Sequence, residues 1–130
     1  MPRIYNFRGK SGEELKNLTR EQYMVLVTSR QRRAMKRMSL NYRELLAKIE
    51  KAKKSNSGKP IKTQVREAVI LPEWIGSRFA VHTGKEYKDI VITEEMLGHR
   101  LGEYAFTTKR VQHSAPGIRA TRGSKFLAVK

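Results

Sequence analysis

Residues 78–92 read RFAVH-TGKE-YKDIVI, two runs rich in β-branched and aromatic residues on either side of a short polar segment. Residues 78–82 and 87–92 have the composition of β-strands. Between them, residues 83–86 include Gly84, which can adopt the positive φ of a tight turn at little steric cost. The stretch therefore predicts a β-hairpin, and with it a sheet in this half of the chain.

The segments that flank this hairpin extend the prediction. Residues 65–71, which include the apolar stretch at 68–71 and are followed by Pro72, indicate a further strand. After the hairpin, Thr93 is expected to cap a short helix led by Glu94 and Glu95, because carboxylates are favourable at a helix N-terminus. The second half is therefore predicted to be a small three-stranded sheet packed with short helices.

The first half of the chain has the spacing of helices. Three pairs fit the capping-box pattern, in which two side chains satisfy backbone N–H groups at a helix start: Ser11 with Glu14, Thr19 with Gln22, and Asn41 with Glu44. Helices are expected near residues 20–37 and 42–54, the first with a break near residues 28–29. Small polar residues, glycine and proline at residues 53–60 then indicate a linker.

The distribution of charge predicts an extended C-terminal arm. Acidic residues occur from Glu13 to Glu103, and none follows Glu103. Gly117 and Gly123 interrupt the basic segment beyond that point, and little apolar periodicity remains there. The predicted fold is α+β with three parts: residues 1–59 as an N-terminal arm and helical region with its linker, residues 60–108 as the α+β core, and residues 109–130 as an extended basic tail.

The charge balance calls for a polyanionic partner. The 130 residues include 28 Lys and Arg but only 12 Asp and Glu, a formal net charge of +16. Such an excess opposes compaction and favours a partner of opposite charge. Lipid surfaces, acidic proteins and nucleic acids all qualify, so the sign alone does not choose among them. Cysteine is absent, and the N-terminus carries charge where a signal peptide is apolar, so the chain is expected in the cytoplasm.

Patterns for catalysis and metal binding are weak. His82, His99 and His113 are widely spaced and lack the i, i+4 spacing of a helical metal pair. Gly84 and Lys85 are similar to the end of a phosphate-binding loop, but the upstream glycine and the following Ser or Thr are missing. A hairpin turn is the better interpretation. The expectation is a binding protein without a cofactor or a metal, and not an enzyme.

The first candidate site of phosphate contact is a basic cluster in the helical half. It places five cations within one or two helical turns: Arg30, Arg32, Arg33, Lys36 and Arg37. Charges packed this closely repel one another, and phosphate contact offsets that repulsion. The alternative is a solvated helix face, which is an equally good account of Lys48, Lys51, Lys53 and Lys54.

The second candidate site lies in the glycine-containing segment at residues 98–110. Its cations are His99, Arg100, Lys109 and Arg110, and glycine allows a phosphate backbone to approach closely. The alternative is that the apolar residues of the same segment close the sheet as core residues: Leu97, Leu101, Tyr104 and Phe106. The two roles are compatible if the apolar residues pack inward and the polar ones face out.

An ordered pattern in the second half resembles a known family. It consists of ILPEWIG at residues 70–76, TGK at 83–85, Ile92, LGHRLGEY at 97–104 and Thr107. This pattern resembles the signature of the small-subunit ribosomal protein S19 family, a universal family. The helical region with RQRR at residues 30–33 and the tail segment HSAPGIRAT at residues 113–121 are similar to its archaeal and eukaryotic members.

The resemblance implies a structural role in translation. It implies an α+β protein in the head of the small ribosomal subunit, bound to the 3′ domain of the small-subunit rRNA beside protein S13. It also implies a bridge to the large subunit and a tail that approaches tRNA at the decoding centre. By position, the implied rRNA contacts are His82, Lys85, His99, Arg100, Lys109 and Arg110, and those of the tail are Arg119, Arg122 and Lys125. The competing hypothesis is a nucleoid or other DNA-binding protein in which residues 30–37 form a groove-reading helix.

Overall fold

The computed structural model describes residues 4–111, 117 and 120–126. Within these residues the α-helices are α1 (Gly12–Lys16), α2 (Arg20–Leu26), α3 (Ser29–Lys36) and α4 (Leu40–Ser55). The strands are β1 (Ile61–Thr63), β2 (Arg78–His82) and β3 (Tyr87–Val91). Short 3-10 helices lie at Pro72–Trp74, Glu94–Met96, Leu101–Tyr104 and Arg122–Ser124. The predicted α+β class is confirmed.

The predicted hairpin is the centre of the sheet. Strands β2 and β3 pair antiparallel with Phe79 opposite Ile90, while β1 pairs parallel with β2 on the other side. In the turn, the Thr83 N–H donates to the Glu86 carbonyl at 2.8 Å. Gly84 has a φ of +106°, a value that L-residues with a side chain rarely adopt. The hairpin and the role of its glycine are confirmed.

The strand predicted at residues 65–71 is wrong. The third strand is β1, and residues 65–71 run as an irregular segment in which Val69 makes one isolated bridge to Arg100. The backbone of this segment forms hydrogen bonds with the segment that follows the sheet: the Ile70 N–H donates to the His99 carbonyl at 2.9 Å. The apolar stretch at residues 68–71 is buried, and an irregular core segment shares that property with a buried strand.

The predicted break in the first helical stretch is confirmed. Thr28 is the N-cap of α3, and its N–H donates to the Gln31 side-chain oxygen at 3.3 Å. This capping box was not among the three predicted. The predicted box of α2 is present, because the Thr19 N–H donates to the Gln22 side chain at 3.1 Å and the Gln22 N–H donates to the Thr19 hydroxyl at 3.4 Å. Two caps in close succession divide the stretch into α2 and α3.

The capping box predicted at Asn41 and Glu44 is wrong. Helix α4 begins earlier, at Leu40, with Ser39 as the N-cap, and the Ser39 hydroxyl accepts a hydrogen bond from the Tyr42 N–H at 3.3 Å. Serine and asparagine are equally favourable N-caps, so local preference could not separate the two starts. None of the helices in the described part of the chain combines the length and the apolar character needed to cross a bilayer.

A single hydrophobic core joins the helical half to the sheet half. It combines Leu15 of α1, Met35 of α3 and Leu45 of α4 with Trp74 and Phe79 from the second half. The rings of Trp74 and Phe79 lie 5.4 Å apart at a tilted angle. The helices therefore bury their apolar faces against the sheet region instead of forming a core of their own.

Tyr23 of α2 links the two halves by hydrogen bonds as well as by packing. Its side chain is fully buried, and its hydroxyl donates to the Ile70 carbonyl at 2.8 Å and accepts from the Gly98 N–H at 2.8 Å. Its ring centroid lies 6.1 Å from that of Phe7. Burial raises the pKa of Tyr23 to about 12. The hydroxyl therefore stays protonated and keeps both bonds at neutral pH.

The short helix predicted after Thr93 is confirmed as the 3-10 helix Glu94–Met96. Thr93 holds the N-cap position, but its side chain makes no capping hydrogen bond. Farther along, Leu101 is fully buried, as the core interpretation of this segment required, whereas Phe106 is 71% exposed. The interpretation of Phe106 as a core residue is wrong, because the chain leaves the core after the buried Ala105.

Candidate nucleic-acid interface

Three arginines lie along one side of α3 and its C-cap. Arg30, Arg33 and Arg37 have the i, i+3 and i+7 spacing of one helix face, while Met35 is buried on another. The cap at Thr28 sets where α3 begins and therefore helps to set which residues share the exposed face. Three of the five cations predicted for this cluster are thus presented together.

These arginines line an open concavity with a residue from the second half. The concavity has a volume of about 590 Å³, and its remaining lining residues are Ser29, Ala34 and Arg100. Arg100 reaches this position because its antiparallel bridge to Val69 places it beside the helical half. The two predicted basic clusters, far apart in the chain, therefore meet on one surface, here named the arginine concavity (Arg30, Arg33, Arg37 and Arg100).

The arginine concavity carries positive charge that the described residues do not neutralise. Across residues 4–111, 117 and 120–126, the guanidinium groups of these four arginines have neither a hydrogen-bond acceptor nor a carboxylate partner. The ion pairs found there are Lys53–Glu73 and Arg78–Asp89, and His99 shares a hydrogen bond with Glu103. Like charges in this arrangement raise the local potential and attract an anion, and guanidinium groups fit phosphate oxygens in pairs.

Arg32, predicted as a phosphate contact, points away from the concavity. Its guanidinium donates to the Met24 carbonyl at 2.8 Å and to the Val27 carbonyl at 3.3 Å, which satisfies acceptors at the end of α2. Arg20 does the same for α3, with a bond to the Met35 carbonyl at 3.1 Å. No local pattern marks Arg20 for this role, because its acceptors lie at the end of a neighbouring helix and just beyond it.

His82 and Lys85 lie at the tip of the hairpin. Lys85 is exposed in the turn, free to reach a ligand. The His82 Nδ1 accepts a hydrogen bond from the Gly84 N–H at 3.1 Å, and its ring meets that of Tyr87 edge-on at 5.0 Å. Its Nδ1 is thus used within the turn, which orients the ring and leaves Nε2 as the nitrogen that can contact a ligand.

His99 is exposed but paired with a carboxylate. Its Nδ1 shares a hydrogen bond with Glu103 Oε2 at 2.6 Å, and its ring lies edge-on to Tyr104 at 6.1 Å. Its neighbour in the chain, Arg100, has no carboxylate partner among the described residues. In the residues that the structure describes, no group of three histidines or carboxylates is placed to hold a metal ion.

Arg66 is a partly buried arginine with a structural role that sequence reasoning missed. Its guanidinium donates to the His82 carbonyl at 2.7 Å, to the Gly102 carbonyl at 3.0 Å and to the Ala105 carbonyl. It therefore ties the end of β2 to the last 3-10 helix of the core. A Cβ at Gly102 would lie 3.0 Å from the Arg66 carbonyl oxygen, which explains a glycine there.

The remaining predicted contacts lie on the surface without forming one site with the arginine concavity. Lys36, Lys109, Arg110, Arg122 and Lys125 are all exposed. The Lys125 ammonium lies 5.6 Å from the ring centroid of Phe126, which is 87% exposed. Arg119 and His113 lie outside the described residues.

The match to known proteins agrees with this basic α+β architecture. The family described as "Ribosomal protein S19" matches residues 32–113, more than half of the chain. The chain belongs to the ribosomal protein S19 family. Similar curated relatives include "Small ribosomal subunit protein uS19" of Saccharolobus solfataricus, 48% identical over 97% of this chain and 91% of the relative. The protein of the same name from Metallosphaera sedula is 43% identical over the same shares.

The S19 match confirms the family that the sequence pattern indicated, and its relatives are of the archaeal type. The matched region includes Arg33, Arg37 and Arg100, whereas Arg30 lies just before it. The curated relatives align over 128 residues, so the similarity to them includes the helical N-terminal half. The arginine concavity therefore combines the part of the chain common to the S19 family with the N-terminal half shared with the archaeal relatives.

Proposed function

We propose that this S19-family protein is a structural constituent of the small ribosomal subunit that binds the 3′ head domain of its rRNA by phosphate contacts. The observation that carries the proposal is the arginine concavity, in which Arg30, Arg33 and Arg37 of the helical half meet Arg100 of the sheet half. The role is that of a binding protein in the cytoplasmic ribosome, without catalysis and without a cofactor.

Electrostatics favours a folded phosphate ribbon as the ligand of this surface. Four guanidinium groups without partners among the described residues line one concavity, in a chain with a net charge of +16. A ribbon of phosphates supplies several charges at short spacing, and binding releases condensed counterions. Arginine forks and an open concavity suit recognition of backbone and shape more than readout of base edges.

Further rRNA contacts are proposed for the exposed cations away from the concavity. Lys85 at the hairpin tip and Lys109 and Arg110 after the core offer point charges to adjacent phosphates. Lys36 joins them on α3, and His82 and His99 are proposed as hydrogen-bonding contacts. Arg32 is better explained by its bonds to the end of α2 and is left out of the proposed contact set.

The tail and the neighbours of the protein belong to the same proposal. Residues 109–130 are proposed to extend from the α+β core at residues 60–108 toward the decoding centre, where Arg119, Arg122 and Lys125 approach tRNA. Residues 1–59 are proposed as the arm and helical region that completes the arginine concavity. Protein S13 in the subunit head and the bridge to the large subunit are the proposed protein contacts.

The proposal is tested by removing charge from the concavity. Replacement of Arg30 and Arg33 by Gln is expected to lower affinity for a head-domain rRNA fragment and to reduce the slope of log affinity against log salt by about one unit per arginine. The matched control removes two exposed lysines of α4, Lys51 and Lys54, which do not line the concavity. Equal losses in both variants would show that only net charge matters.

A DNA-binding role makes a different prediction for the same measurement. A nucleoid protein would bind random duplex DNA as tightly as it binds head-domain rRNA at equal salt. The ribosomal role requires a clear preference for the folded rRNA, and the protein should sediment with small subunits in high salt. Comparable affinity for both nucleic acids would contradict the proposed function.

A further inference from the structure

Strand β3 forms one edge of the sheet, and its outer side has no backbone partner among the described residues. The sheet order is β1-β2-β3, so in the described part of the chain β3 pairs with β2 alone. At the two ends of that pairing, the Thr83 N–H donates to the Glu86 carbonyl at 2.8 Å, and the Ile92 N–H donates to the Ser77 carbonyl at 3.0 Å. Residues of an antiparallel strand alternate between those bonded to the partner strand and those turned away from it. The even-numbered residues of β3 therefore bond to β2, and the odd-numbered ones face outward.

The outward-facing residues, here named the β3 edge, are Tyr87, Asp89 and Val91. Their backbone N–H and C=O groups make no hydrogen bond to any described residue outside the sheet. Such groups are strong donors and acceptors, and an exposed row of them is a template for a further strand. The β3 edge therefore offers three donors and three acceptors in the alternating order of a sheet.

Exposed apolar side chains flank the β3 edge. Tyr87 and Val91, which are 41% and 52% exposed, lie on the same face of the sheet, because every second side chain of a strand points to the same side. Lys88 points to the opposite side, and its ammonium lies 5.4 Å from the ring centroid of the exposed Phe106. A strand added at this edge would cover part of this apolar surface.

We propose that the β3 edge binds an extended segment of another protein, which joins the sheet as a further antiparallel strand. Each free N–H and each free C=O then gains a partner of the complementary kind. The phosphates of RNA supply acceptors only, so they suit the N–H groups and leave the carbonyl groups unpaired. The inference goes beyond the proposed rRNA binding and does not depend on it.

The charges of β3 favour a different protein over a second copy of this chain. Two β3 strands paired antiparallel in full register would place the Asp89 side chains of the two copies opposite each other. A slip toward the turn would instead oppose the two Lys88 side chains, and a slip the other way leaves only residues 89–91 of each strand opposed. Like charges directly opposite each other destabilise a pair of strands, and each copy carries a net charge of +16.

The side chains of β3 define the chemistry of the partner segment. Lys88 has no carboxylate partner among the described residues, so an acidic residue opposite it forms an ion pair. Asp89 already lies 3.7 Å from the Arg78 guanidinium and suits a neutral neighbour. Apolar residues opposite Tyr87 and Val91 complete the pattern. The partner is an extended protein segment with apolar residues at both ends of the paired stretch and one acid among the polar residues between them.

The probe is the capped peptide Thr-Val-Thr-Thr-Glu-Val-Thr, whose valines would lie opposite Val91 and Tyr87 and whose glutamate would lie opposite Lys88. Amide hydrogen exchange of the full chain is measured by NMR with and without the peptide. In the free protein, the N–H groups of the β3 edge should exchange fast, while β2 protects those of Lys88 and Ile90. Near saturation with the peptide, the three fast amides should exchange about tenfold more slowly. Unchanged exchange at millimolar peptide would overturn the proposal.

Two N-methylated peptides are the matched controls for strand addition. A methyl group on the nitrogen of the middle threonine, opposite Asp89, removes a donor that faces β3 and should weaken binding about tenfold. The same methyl group on the nitrogen of the glutamate, whose N–H faces away from β3, should leave the affinity nearly unchanged. Equal effects of the two methyl groups would contradict pairing through the backbone.

A charge exchange tests the register. Lys88→Glu should weaken binding of the peptide about threefold, and a peptide with lysine in place of its glutamate should recover that loss. Lys51→Glu, at an exposed position on α4, is the matched control and should change neither affinity. If Lys88→Glu leaves both affinities unchanged, the peptide does not lie along β3 and the proposal fails.

The other two occupants give different results in the same exchange experiment. If the β3 edge is protected without peptide and the protein sediments as a dimer, the edge pairs with a second copy. If a head-domain rRNA fragment alone protects all three amides, the edge belongs to the RNA-binding surface. Either result would overturn the proposal, and neither depends on whether the arginine concavity binds rRNA.

Discussion

At the scale of single residues, two buried tyrosines of the helical half have opposite roles. The Tyr23 hydroxyl bridges the Ile70 carbonyl and the Gly98 N–H, while the Tyr42 hydroxyl has no partner among the described residues. Sequence alone treats both as apolar positions on amphipathic helices. The two hydroxyls differ because the second half of the chain places a carbonyl and an N–H beside Tyr23, and none of its described residues bonds to the Tyr42 hydroxyl.

Tyr23→Phe is expected to destabilise the fold. The change leaves a buried carbonyl and a buried N–H without their partner, which costs about 1–3 kcal/mol of the free energy of unfolding. The loss is measured by urea unfolding, with Tyr42→Phe in chloride buffer as the matched control. Equal stabilities for the two variants would show that the Tyr23 bridge does not contribute.

Alkaline pH is expected to weaken the fold through Tyr23. Burial raises the pKa of Tyr23 to about 12 from its ordinary value of 10.0, so the unfolded chain loses this proton first. The stabilisation is complete below about pH 10 and disappears as the pH rises through about 12, a loss on the order of 2–3 kcal/mol. Unfolding curves from pH 8 to 12 should fall more steeply for the wild type than for Tyr23→Phe, and parallel curves would contradict the assignment.

At the scale of elements, α2 and α3 cap one another. Arg32 of α3 donates to carbonyls at the end of α2, and Arg20 of α2 donates to the Met35 carbonyl near the end of α3. Short helices of this length are marginal in isolation, so these bonds and the shared core maintain them. Four arginines of α3 and its C-cap therefore divide between a structural role and the proposed binding role: Arg32 bonds to the end of α2, and Arg30, Arg33 and Arg37 line the concavity.

Arg32→Gln is expected to separate these two roles. Loss of its bonds to α2 should lower the free energy of unfolding by about 1–2 kcal/mol, a value reduced by its partial exposure. Lys36→Gln removes the same charge from an exposed position on α3 and should leave stability nearly unchanged. Thermal unfolding measures both. A larger loss of stability in Lys36→Gln than in Arg32→Gln would contradict the structural role of Arg32.

At the scale of the whole molecule, the excess positive charge is shared between the core-packed elements and the tail. Among the residues whose burial is described, Ala105 is the last buried one, and those of the tail are exposed. The cations of the concavity lie instead on core-packed elements. The proposed binding through the concavity therefore requires the folded domain, whereas the proposed binding through the tail does not.

Removal of residues 109–130 is expected to leave the domain folded. Its circular dichroism spectrum and melting temperature should stay close to those of the full chain, because the apolar contacts precede the deletion. Affinity for head-domain rRNA should fall with the lost charges, and decoding should suffer more than folding. An unfolded truncated domain would contradict the separation of tail and core.

Much of the fold could be predicted because its signals are local. The TGKE turn with Gly84, the Thr19 box and the break before α3 each depend on residues a few positions apart, and all are confirmed. The predictions were wrong where the local sequence suits two structures equally well. Ser39 and Asn41 are equally good caps, and the apolar stretch at residues 68–71 suits a strand as well as an irregular core segment.

The sequence by itself determined the hairpin, the α+β class, the family and the need for a polyanion, since these follow from turn geometry, an ordered motif and net charge. Only the tertiary structure decided which cations act together. Arg100 joins Arg30, Arg33 and Arg37 through the bridge of its segment to Val69, while Arg32 turns to α2. The physical reason is that a guanidinium binds whatever acceptor or anion lies within its reach, and the packing of distant segments sets that reach.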